Sequence, residues 1–518
     1  MSRADLRCPR CGAPMPPSTP TCGYCGAVLE TPARSPEPPR IPIASADVDR
    51  ILAVVQRRTR APRPAPRKAR GCGCLFAVVL ALVIAAGAWF LLLGRPLPIP
   101  NGLAPSPWLR MCGSSTLGTS LAPKLALAFL KKSGALDAAL SADKDRGRAT
   151  VTGTIARELE SLTVDYSGGS GSAFDGLSSG ACDIGLSSRA ISAAEASRLS
   201  ALGDMRSPAA EHVVGMDGIA IIVNPAIAIE RLTVGRLAEV FLGGVTDWSR
   251  LGASPGTIHP YSRDKSSGTY DTFVQIALGG RDIPTGRAQV LADNDGVTGA
   301  VARDALGIGF VGLPFIGKNR PLALQAGEAQ PVAPSVFSVA SEDYPLSRRL
   351  YMYTRPNGAR AQVGQFVDFV LSDEGQRTVS DAGFVSLGAT TSTAPLPSEA
   401  PAALVKALGQ ARRLSFTFRF RPGTATLDSR ALGDVVRLAN TMRSSGGQLL
   451  LVGFADKTGS DPGNVLLSRQ RAQTVAEAVR KASVQPTYVD GFGSALPVAS
   501  NDTEEGRERN RRVEAWVR

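Results

Sequence analysis

Histidine is scarce in this chain, whose 518 residues include only His212 and His259. So low a count leaves little room for histidine-based proton transfer or for histidine-rich metal sites. Neither histidine stands in one of the serine- and glycine-rich turns described below, and no serine, histidine and aspartate set suggests a nucleophilic triad. The sequence therefore predicts a binding protein and no enzyme.

Charge and proline are both absent from residues 75–93, LFAVVLALVIAAGAWFLLL. A helix needs about 20 apolar residues to cross a bilayer, so this run predicts one transmembrane helix over 71–94. Lysine and arginine crowd residues 57–70, whereas Arg95 is the only charge in the first dozen residues after the run. The positive-inside rule then predicts a single-pass inner-membrane protein with a cytoplasmic N-terminus and periplasmic C-terminal domains. A cleaved signal peptide is the alternative, but 74 residues precede the run and no small-x-small site follows it.

Aromatic side chains are missing from the basic segment, which combines arginine with proline. Of the net charge of +13, residues 1–74 hold +8, from 13 Lys and Arg against 5 Asp and Glu. A nucleic-acid partner would need a basic folded face with aromatic residues for stacking, so we predict none. The basic segment can instead contact the anionic headgroups of the lipid bilayer.

Cysteine is also sparse, yet four of the eight form two CxxC pairs near the N-terminus. Ten residues separate the pairs, a spacing that brings four thiolates to the corners of a tetrahedron, as structural Zn²⁺ prefers. Residues 1–28 resemble the zinc ribbons at the start of many bacterial membrane proteins. Two disulfides are the alternative, which a reducing cytoplasm disfavours. The predicted zinc ligands are Cys8, Cys11, Cys22 and Cys25.

Proline-rich stretches predict three connecting segments, a Pro/Arg-rich linker at 29–70, a spacer at 95–107 and a linker at 397–410. Such segments bury too little apolar surface to offset the entropy of ordering them. Two folded regions remain, residues 108–396 and residues 411–518. The overall prediction is a multidomain α/β protein.

Four turns rich in serine, glycine and threonine stand out in residues 108–396. They are Gly113–Leu117, Ser167–Ser172, Asp183–Arg189 and Arg263–Thr269. The first three follow or end predicted strands, and helical patterns follow the first, second and fourth, which predicts parallel α/β units. Backbone N–H groups and hydroxyls would then converge on one crevice, which suits a desolvated oxyanion.

The order and spacing of these turns, with HVVGMDGIAIIVNP and FVDFVLSDEGQRTVSDAGFVSL further along, resemble the PstS-like periplasmic phosphate-binding proteins of ABC transporters. The resemblance implies a two-lobed, hinged fold of periplasmic-binding-protein type II, with the anion held between the lobes. The ligand positions that it implies are Thr116, Leu117, Ser170, Ser188, Arg263, Ser267, Gly268 and Thr269.

One of these positions departs from the family's best-known members, which have an aspartate where this chain has Ser188. That aspartate accepts the proton of hydrogen phosphate and repels sulfate, whereas a hydroxyl can donate to either anion. Phosphate remains the predicted ligand. Another oxyanion, or no ligand at all, is the alternative.

The resemblance also bears on Cys112 and Cys182, which precede the first turn and the third predicted strand. The family's sheet order makes those strands neighbours, so a disulfide can form in an oxidising periplasm. Two buried free thiols are the alternative.

Residues 411–518 begin with the strict alternation LSFTFRF, which is typical of a half-buried strand. The patterns that follow predict an α+β sandwich. Its remaining elements are a helix over about 429–444, a strand at 449–454, a helix over about 464–482, a strand near Val489 and a strand at 513–517.

The motif GFADKTG, followed by NVLLSRQRAQTV and later NRRVE, is similar to the OmpA-like peptidoglycan-binding family. The resemblance implies that Asp456 and Arg471 clamp the amine and the carboxylate of diaminopimelate in the stem peptide. Opposite charges at two points suit such a zwitterion. Asn464 would hold the loop. A purely structural pair is the alternative.

In that family Arg511 and Arg512 would brace the loop, while Phe454 and Ala455 replace the usual His-Thr before the aspartate. Taken together, the domains predict a membrane-anchored protein that binds phosphate and peptidoglycan. It would serve phosphate uptake or sensing with an ABC transporter or a signalling partner. The alternative is a structural tether between membrane and wall, whose two-lobed domain binds nothing.

Overall fold

The structure, a computed structural model, describes residues 107–265, 267–420 and 426–518. The predicted zinc ligands and the predicted membrane span at 71–94 lie outside these residues. Within the described ranges, no helix is long and apolar enough to cross a membrane. The same ranges contain no group of three or more His, Cys, Asp or Glu residues placed to hold a metal ion.

The first domain alternates strands with helices, as the sequence predicts. Its strands are β1 (Leu109–Gly113), β2 (Ala139–Asp143), β3 (Arg148–Ile155), β4 (Glu158–Asp165), β5 (Ile184–Ser187), β6 (Glu211–Val223), β7 (Arg231–Thr233), β8 (His259–Arg263), β9 (Gln289–Leu291), β10 (Gly307–Gly312), β11 (Arg320–Pro321), β12 (Ala323–Gln325) and β13 (Ser347–Thr354). Its α-helices are α1 (Ala122–Lys132), α2 (Gly169–Ser179), α3 (Ala193–Arg198), α4 (Val234–Leu242), α5 (Gly268–Ala277), α6 (Asn294–Arg303), α7 (Val336–Ala340), α8 (Ala361–Val370) and α9 (Asp373–Asp381). A π-helical turn, Leu117–Leu121, precedes α1, and 3₁₀ turns lie at Ser200–Leu202, Trp248–Leu251 and Leu313–Phe315.

Most of these strands form one eleven-stranded sheet in the order β2-β3-β4-β1-β5-β13-β6-β10-β8-β9, with β11 also on β6. Strand β6 connects its two halves. Its first part pairs antiparallel with β13, and its last five residues, Ile219–Val223, pair antiparallel with β10. The parallel pairs β1–β4 and β1–β5 lie on one side of β6, and β8–β10 and β8–β9 lie on the other. The domain therefore has two lobes that share β6 and β13.

Each lobe has its own apolar core, because helices cover the faces of both half-sheets. Buried Leu125 and Phe366 belong to the core of the first lobe. In the second lobe Phe273 stacks on Phe310 with ring centroids 4.0 Å apart, and Phe241 packs edge-on against both. Both cores hold the strand ends that carry the predicted turns.

Cys112 and Cys182 form a disulfide, one of the two outcomes that the sequence left open. The parallel pairing of β1 with β5 brings the two cysteines together, since Cys112 lies opposite Gly185. Gly176 of α2 passes directly over the bond. A Cβ atom at that glycine would lie 2.4 Å and 2.5 Å from the two sulfur atoms.

The second domain is an α+β sandwich close to the one predicted. Its strands are β14 (Thr391–Ser392), β15 (Arg412–Arg419), β16 (Leu449–Gly453), β17 (Tyr488–Gly491) and β18 (Arg512–Val517), in the order β14-β15-β18-β16-β17. Its helices are α10 (Ala402–Leu408), α11 (Ser429–Ser445), α12 (Asp461–Lys481) and α13 (Glu504–Asn510). The long helices α11 and α12 contribute buried apolar residues to one core with β15, β16 and β18.

The structure differs from the predicted linker at 397–410. Helix α10 lies within it, and Leu404 and Leu408 are buried in a cluster with Leu450 and Trp516. The proline and serine content suggested a segment without structure, but two leucines one helical turn apart are enough to attach it to the sheet.

Candidate functional site

Seven of the eight predicted ligand positions line one continuous cavity, to which residues of the second domain also contribute. The seven positions are Thr116, Ser170, Ser188, Arg263, Ser267, Gly268 and Thr269. Leu117 is the exception, because its side chain is fully buried in the core of the first lobe. Only its backbone could face a ligand.

The first and fourth turns meet across the two lobes. Thr116 belongs to the first turn and immediately precedes the π-helical segment Leu117–Leu121. Gly268 is the first residue of α5 in the other lobe. A Cβ atom at position 268 would lie 2.6 Å from the Cα atom of Thr116. Glycine is therefore required for the two turns to approach this closely.

The second and third turns meet within the first lobe. The hydroxyl oxygens of Ser170 and Ser188 are 3.1 Å apart, and the backbone N–H of Ser188 donates to Ser170 Oγ at 3.1 Å. Ser188 is buried, whereas Ser170 is partly exposed to the cavity. The two hydroxyls can reorient to donate to one oxyanion.

Helix α5 presents its N-terminus to the same cavity. Ser267 caps the helix, and its hydroxyl accepts the backbone N–H of Thr269 at 3.2 Å. The N-terminal N–H groups of a helix favour negative charge. The fourth turn can therefore supply backbone donors as well as the hydroxyl of Thr269.

Arg263 ends β8 beside this helix and supplies the formal positive charge. One terminal nitrogen donates to the carbonyl of Ala292 at 3.0 Å, and the nearest Asp264 oxygen is 3.8 Å away. Its Nε is buried and has no hydrogen-bond partner among the described residues. Burial lowers the pKa of this guanidinium, with Asp264 acting in the opposite direction. A buried donor of this kind needs an acceptor, which an oxyanion provides.

The structure adds charged cavity residues that the sequence analysis missed. Arg348 on β13 donates to Thr116 Oγ1 at 2.7 Å and to the carbonyl of Gly268 at 3.1 Å. Its other nitrogens reach Asp217 at 3.2 Å and Asp271 at 3.4 Å. The only signal in the sequence was a pair of arginines in an otherwise apolar strand, and the partners lie 77 to 232 residues away.

In the predicted clamp of the second domain, Asp456 pairs with Arg511. Asp456 accepts Arg511 Nη1 at 2.8 Å and the backbone N–H of Thr458 at 2.8 Å. Burial would raise the pKa of Asp456, but these two hydrogen bonds hold it below its usual value. Arg511 therefore contacts the loop directly, as predicted for a bracing residue.

Arg471, in contrast, is buried without an anionic partner in the described part of the chain. Its Nε and Nη1 atoms have no hydrogen-bond partner among the residues that the structure describes, and its guanidinium lies 5.6 Å from the ring of Phe420. Burial and the nearby charge of Arg511 lower its pKa. Asn464 is also buried at the start of α12, and its Nδ2 has no hydrogen-bond partner in the described ranges either. These donors can receive a carboxylate.

Arg512, the second residue predicted to brace the loop, contacts the GFADKTG motif at Phe454, two residues before Asp456. It lies on β18, donates to Glu514 at 2.8 Å and stacks on the ring of Phe454 at 4.1 Å from the centroid. Arg511 is the C-cap residue of α13, whereas Arg512 is the first residue of β18. The phenylalanine that replaces the family's histidine thus packs under a buried ion pair.

Both domains match known protein families. Residues 132–374 match the PBP superfamily domain, and residues 419–511 match the OmpA family. The phosphate-binding protein PstS of Staphylococcus saprophyticus is 29% identical over 243 residues, which cover 45% of this chain and 74% of that protein. PstS of Bacillus subtilis is 28% identical over 271 residues, covering 49% and 85%.

Solved structures match the same regions. An ABC-type phosphate transport receptor from Vibrio cholerae covers 54% of this chain and 99% of its own length, at 20% identity and a TM-score of 0.42. The cell wall anchor of the type VI secretion system (T6SS) of Pseudomonas aeruginosa covers 21% of this chain and 80% of its own length, at 31% identity and a TM-score of 0.19.

Proposed function

We propose that the first domain binds phosphate, or a related oxyanion, between its lobes. The observation that carries this is Arg263, a largely buried guanidinium whose Nε has no acceptor among the described residues, in a cavity lined by serine and threonine hydroxyls. A charge-assisted hydrogen bond to an anion would satisfy that donor. The two PstS relatives named above support phosphate as the anion.

We also propose that the second domain binds the peptidoglycan stem peptide at Asp456 and Arg471. An ionised carboxylate and a buried cation without an anion can hold the amine and the carboxylate of one diaminopimelate centre. The membership of residues 419–511 in the OmpA family supports this assignment.

The proposed location is the periplasm, with the chain anchored in the inner membrane by the predicted span at 71–94 and a zinc ribbon in the cytoplasm. The disulfide between Cys112 and Cys182 supports an oxidising compartment for the first domain. The zinc ribbon itself is supported only by the spacing of its four cysteines. Anion binding would then serve phosphate uptake or sensing.

Titration calorimetry of the full-length chain with phosphate and sulfate tests the proposed ligand. Saturable heat with phosphate supports an anion-binding protein. No heat with either anion supports the alternative, in which the two-lobed domain is a spacer in a tether between membrane and wall.

Substitution of the two proposed clamp residues tests binding to the cell wall. We expect Arg471→Met and Asp456→Asn each to weaken co-sedimentation of the full-length chain with purified sacculi by about tenfold or more, because a hydrogen bond to a charged group contributes roughly 1.5–3 kcal/mol. Arg469→Met is the matched control, since Arg469 lies on the same helix but pairs with Asp490 at 2.6 Å and is half exposed. If both variants sediment as well as the parent chain, the clamp assignment is wrong.

A further inference from the structure

Two carboxylates share one guanidinium in the wall of the anion cavity. Arg348 donates through Nε to Asp217 at 3.2 Å and through Nη1 to Asp271 at 3.4 Å. The side chains of Arg348 and Asp217 are each 10% exposed, whereas that of Asp271 is 44% exposed. Two negative charges against one positive charge leave this group with a net charge of −1 when all three are ionised.

This group lies against the proposed ligand positions of both lobes. Arg348 also donates to Thr116 Oγ1 at 2.7 Å and to the carbonyl of Gly268 at 3.1 Å. Asp271 stands in the first turn of α5, three residues after Gly268 and two after Thr269, and it lines the cavity. Its carboxylate is therefore in the same turn of helix as two predicted ligand positions.

Two other acidic residues near the cavity, Asp217 and Glu195, are more fully occupied. Asp217 is buried and also accepts the hydroxyl of Thr272 at 3.2 Å. Glu195 is engaged by both terminal nitrogens of Arg189, at 2.7 Å and 2.8 Å. Of the carboxylates that bond to Arg348, Asp271 is the one with an exposed side chain and the weaker, longer contact.

Because Ser188 stands where the best-known relatives have an aspartate, the Asp271 carboxylate can affect which anion binds in the cavity. Hydrogen phosphate carries an O–H that can donate to a carboxylate, whereas sulfate carries none near neutral pH. An ionised carboxylate can only accept hydrogen bonds, so a fully deprotonated dianion beside it meets like charge without compensation. A site built to accept a ligand's hydroxyl rejects an analogue that lacks it.

We propose that Asp271 selects protonated oxyanions over sulfate, in the role that an aspartate at position 188 would otherwise perform. Asp271 accepts the phosphate hydroxyl, while Arg348 holds the carboxylate toward the turns of both lobes. The proposal rests on phosphate binding by the first domain and adds the residue that sets its selectivity.

The test is calorimetric titration of the full-length chain with phosphate and with sulfate at pH 8, for the parent and three variants. We expect Asp271→Asn to lower the ratio of phosphate affinity to sulfate affinity at least tenfold, mainly through tighter sulfate binding, because an amide can donate to sulfate. Asp271→Glu, which restores the charge, should keep the ratio within about threefold of the parent. Asp295→Asn is the matched control, an exposed acidic residue in the first turn of α6 that does not line the cavity.

The possible failures are distinguishable. If the parent chain binds phosphate and Asp271→Asn keeps the parent's selectivity, Asp271 does not select the anion, although the proposed function stands. If the parent binds no phosphate, both proposals are overturned. Melting temperatures measured on the same samples identify any variant that has not folded. If Asp271→Asn has not folded, Asp271→Ser, which removes the charge with a smaller side chain, is titrated with phosphate and sulfate in its place.

Discussion

Replacing Arg263 with alanine is expected to weaken phosphate binding about thirtyfold or more. Two other cavity arginines are paired with carboxylates, because Arg348 pairs with Asp217 and Arg189 pairs with both oxygens of Glu195. Arg263 has no comparable partner in the described ranges, where the nearest oxygen of Asp264 is 3.8 Å away. Removing one member of a buried, hydrogen-bonded charge pair costs about 2–5 kcal/mol, which corresponds to roughly 30-fold or more in affinity.

Two further variants sharpen that experiment. Arg263→Lys keeps the charge but loses the planar fork that can donate twice to an oxyanion, so we expect an intermediate affinity. Lys265→Ala removes a positive charge from the same turn, but Lys265 is 70% exposed and bonded to Asp282 at 2.7 Å. Its phosphate affinity should stay within about threefold of the parent, since exposed charges are screened. Equal affinity of Arg263→Ala and Lys265→Ala would contradict the assignment of Arg263.

Replacing Glu342 with glutamine is expected to uncouple the unfolding of the two domains, so that each domain unfolds in its own transition. Glu342 accepts hydrogen bonds from Arg349 of the first domain and from Arg419 and Arg430 of the second. It is buried between them. Breaking a buried ion pair by removing one partner costs about 3–5 kcal/mol, because the remaining buried charges, here those of the arginines, are left without compensation. We expect the variant to unfold in two separated calorimetric transitions where the parent shows one.

The protonation state of Glu342 gives that experiment a pH dependence. Burial alone would raise the pKa of this carboxyl, but Arg349, Arg430 and Arg419 hold it well below its usual value. Because the folded state lowers this pKa, the stabilisation is fully present above the ordinary pKa of a glutamate and is lost as the pH falls toward the folded value. The gap in stability between the parent and Glu342→Gln should therefore narrow in acid.

A matched control distinguishes the loss of a buried carboxylate from the loss of an exposed one. Glu239 pairs with Arg236 on α4 at 2.7 Å, and both side chains are about half exposed. Glu239→Gln should change the free energy of unfolding by less than about 1 kcal/mol, as exposed ion pairs do. If Glu342→Gln is as stable as Glu239→Gln and still unfolds in one transition, the ion cluster does not hold the domains together.

Local patterns in the sequence predicted most of the secondary structure that surrounds the sites. The alternation in LSFTFRF predicted β15, and helical segments follow the turns ending at Leu117 and Thr269, as expected. Such features depend on neighbours within a few residues, so periodicity and capping residues are enough to recognise them. Composition was less reliable, since the predicted linker at 397–410 contains a helix with a buried face.

The sequence by itself determined which residue types stand at the turn positions, including Ser188 in place of an aspartate, and which charged residues the second domain offers. Only the tertiary structure decided the pairing. It joined Asp456 to Arg511 and left Arg471 without an anion, and it placed Arg348 between two carboxylates. These partners lie between 55 and 131 residues apart along the chain. Sheet order and domain packing bring them together, and no local pattern records those distances.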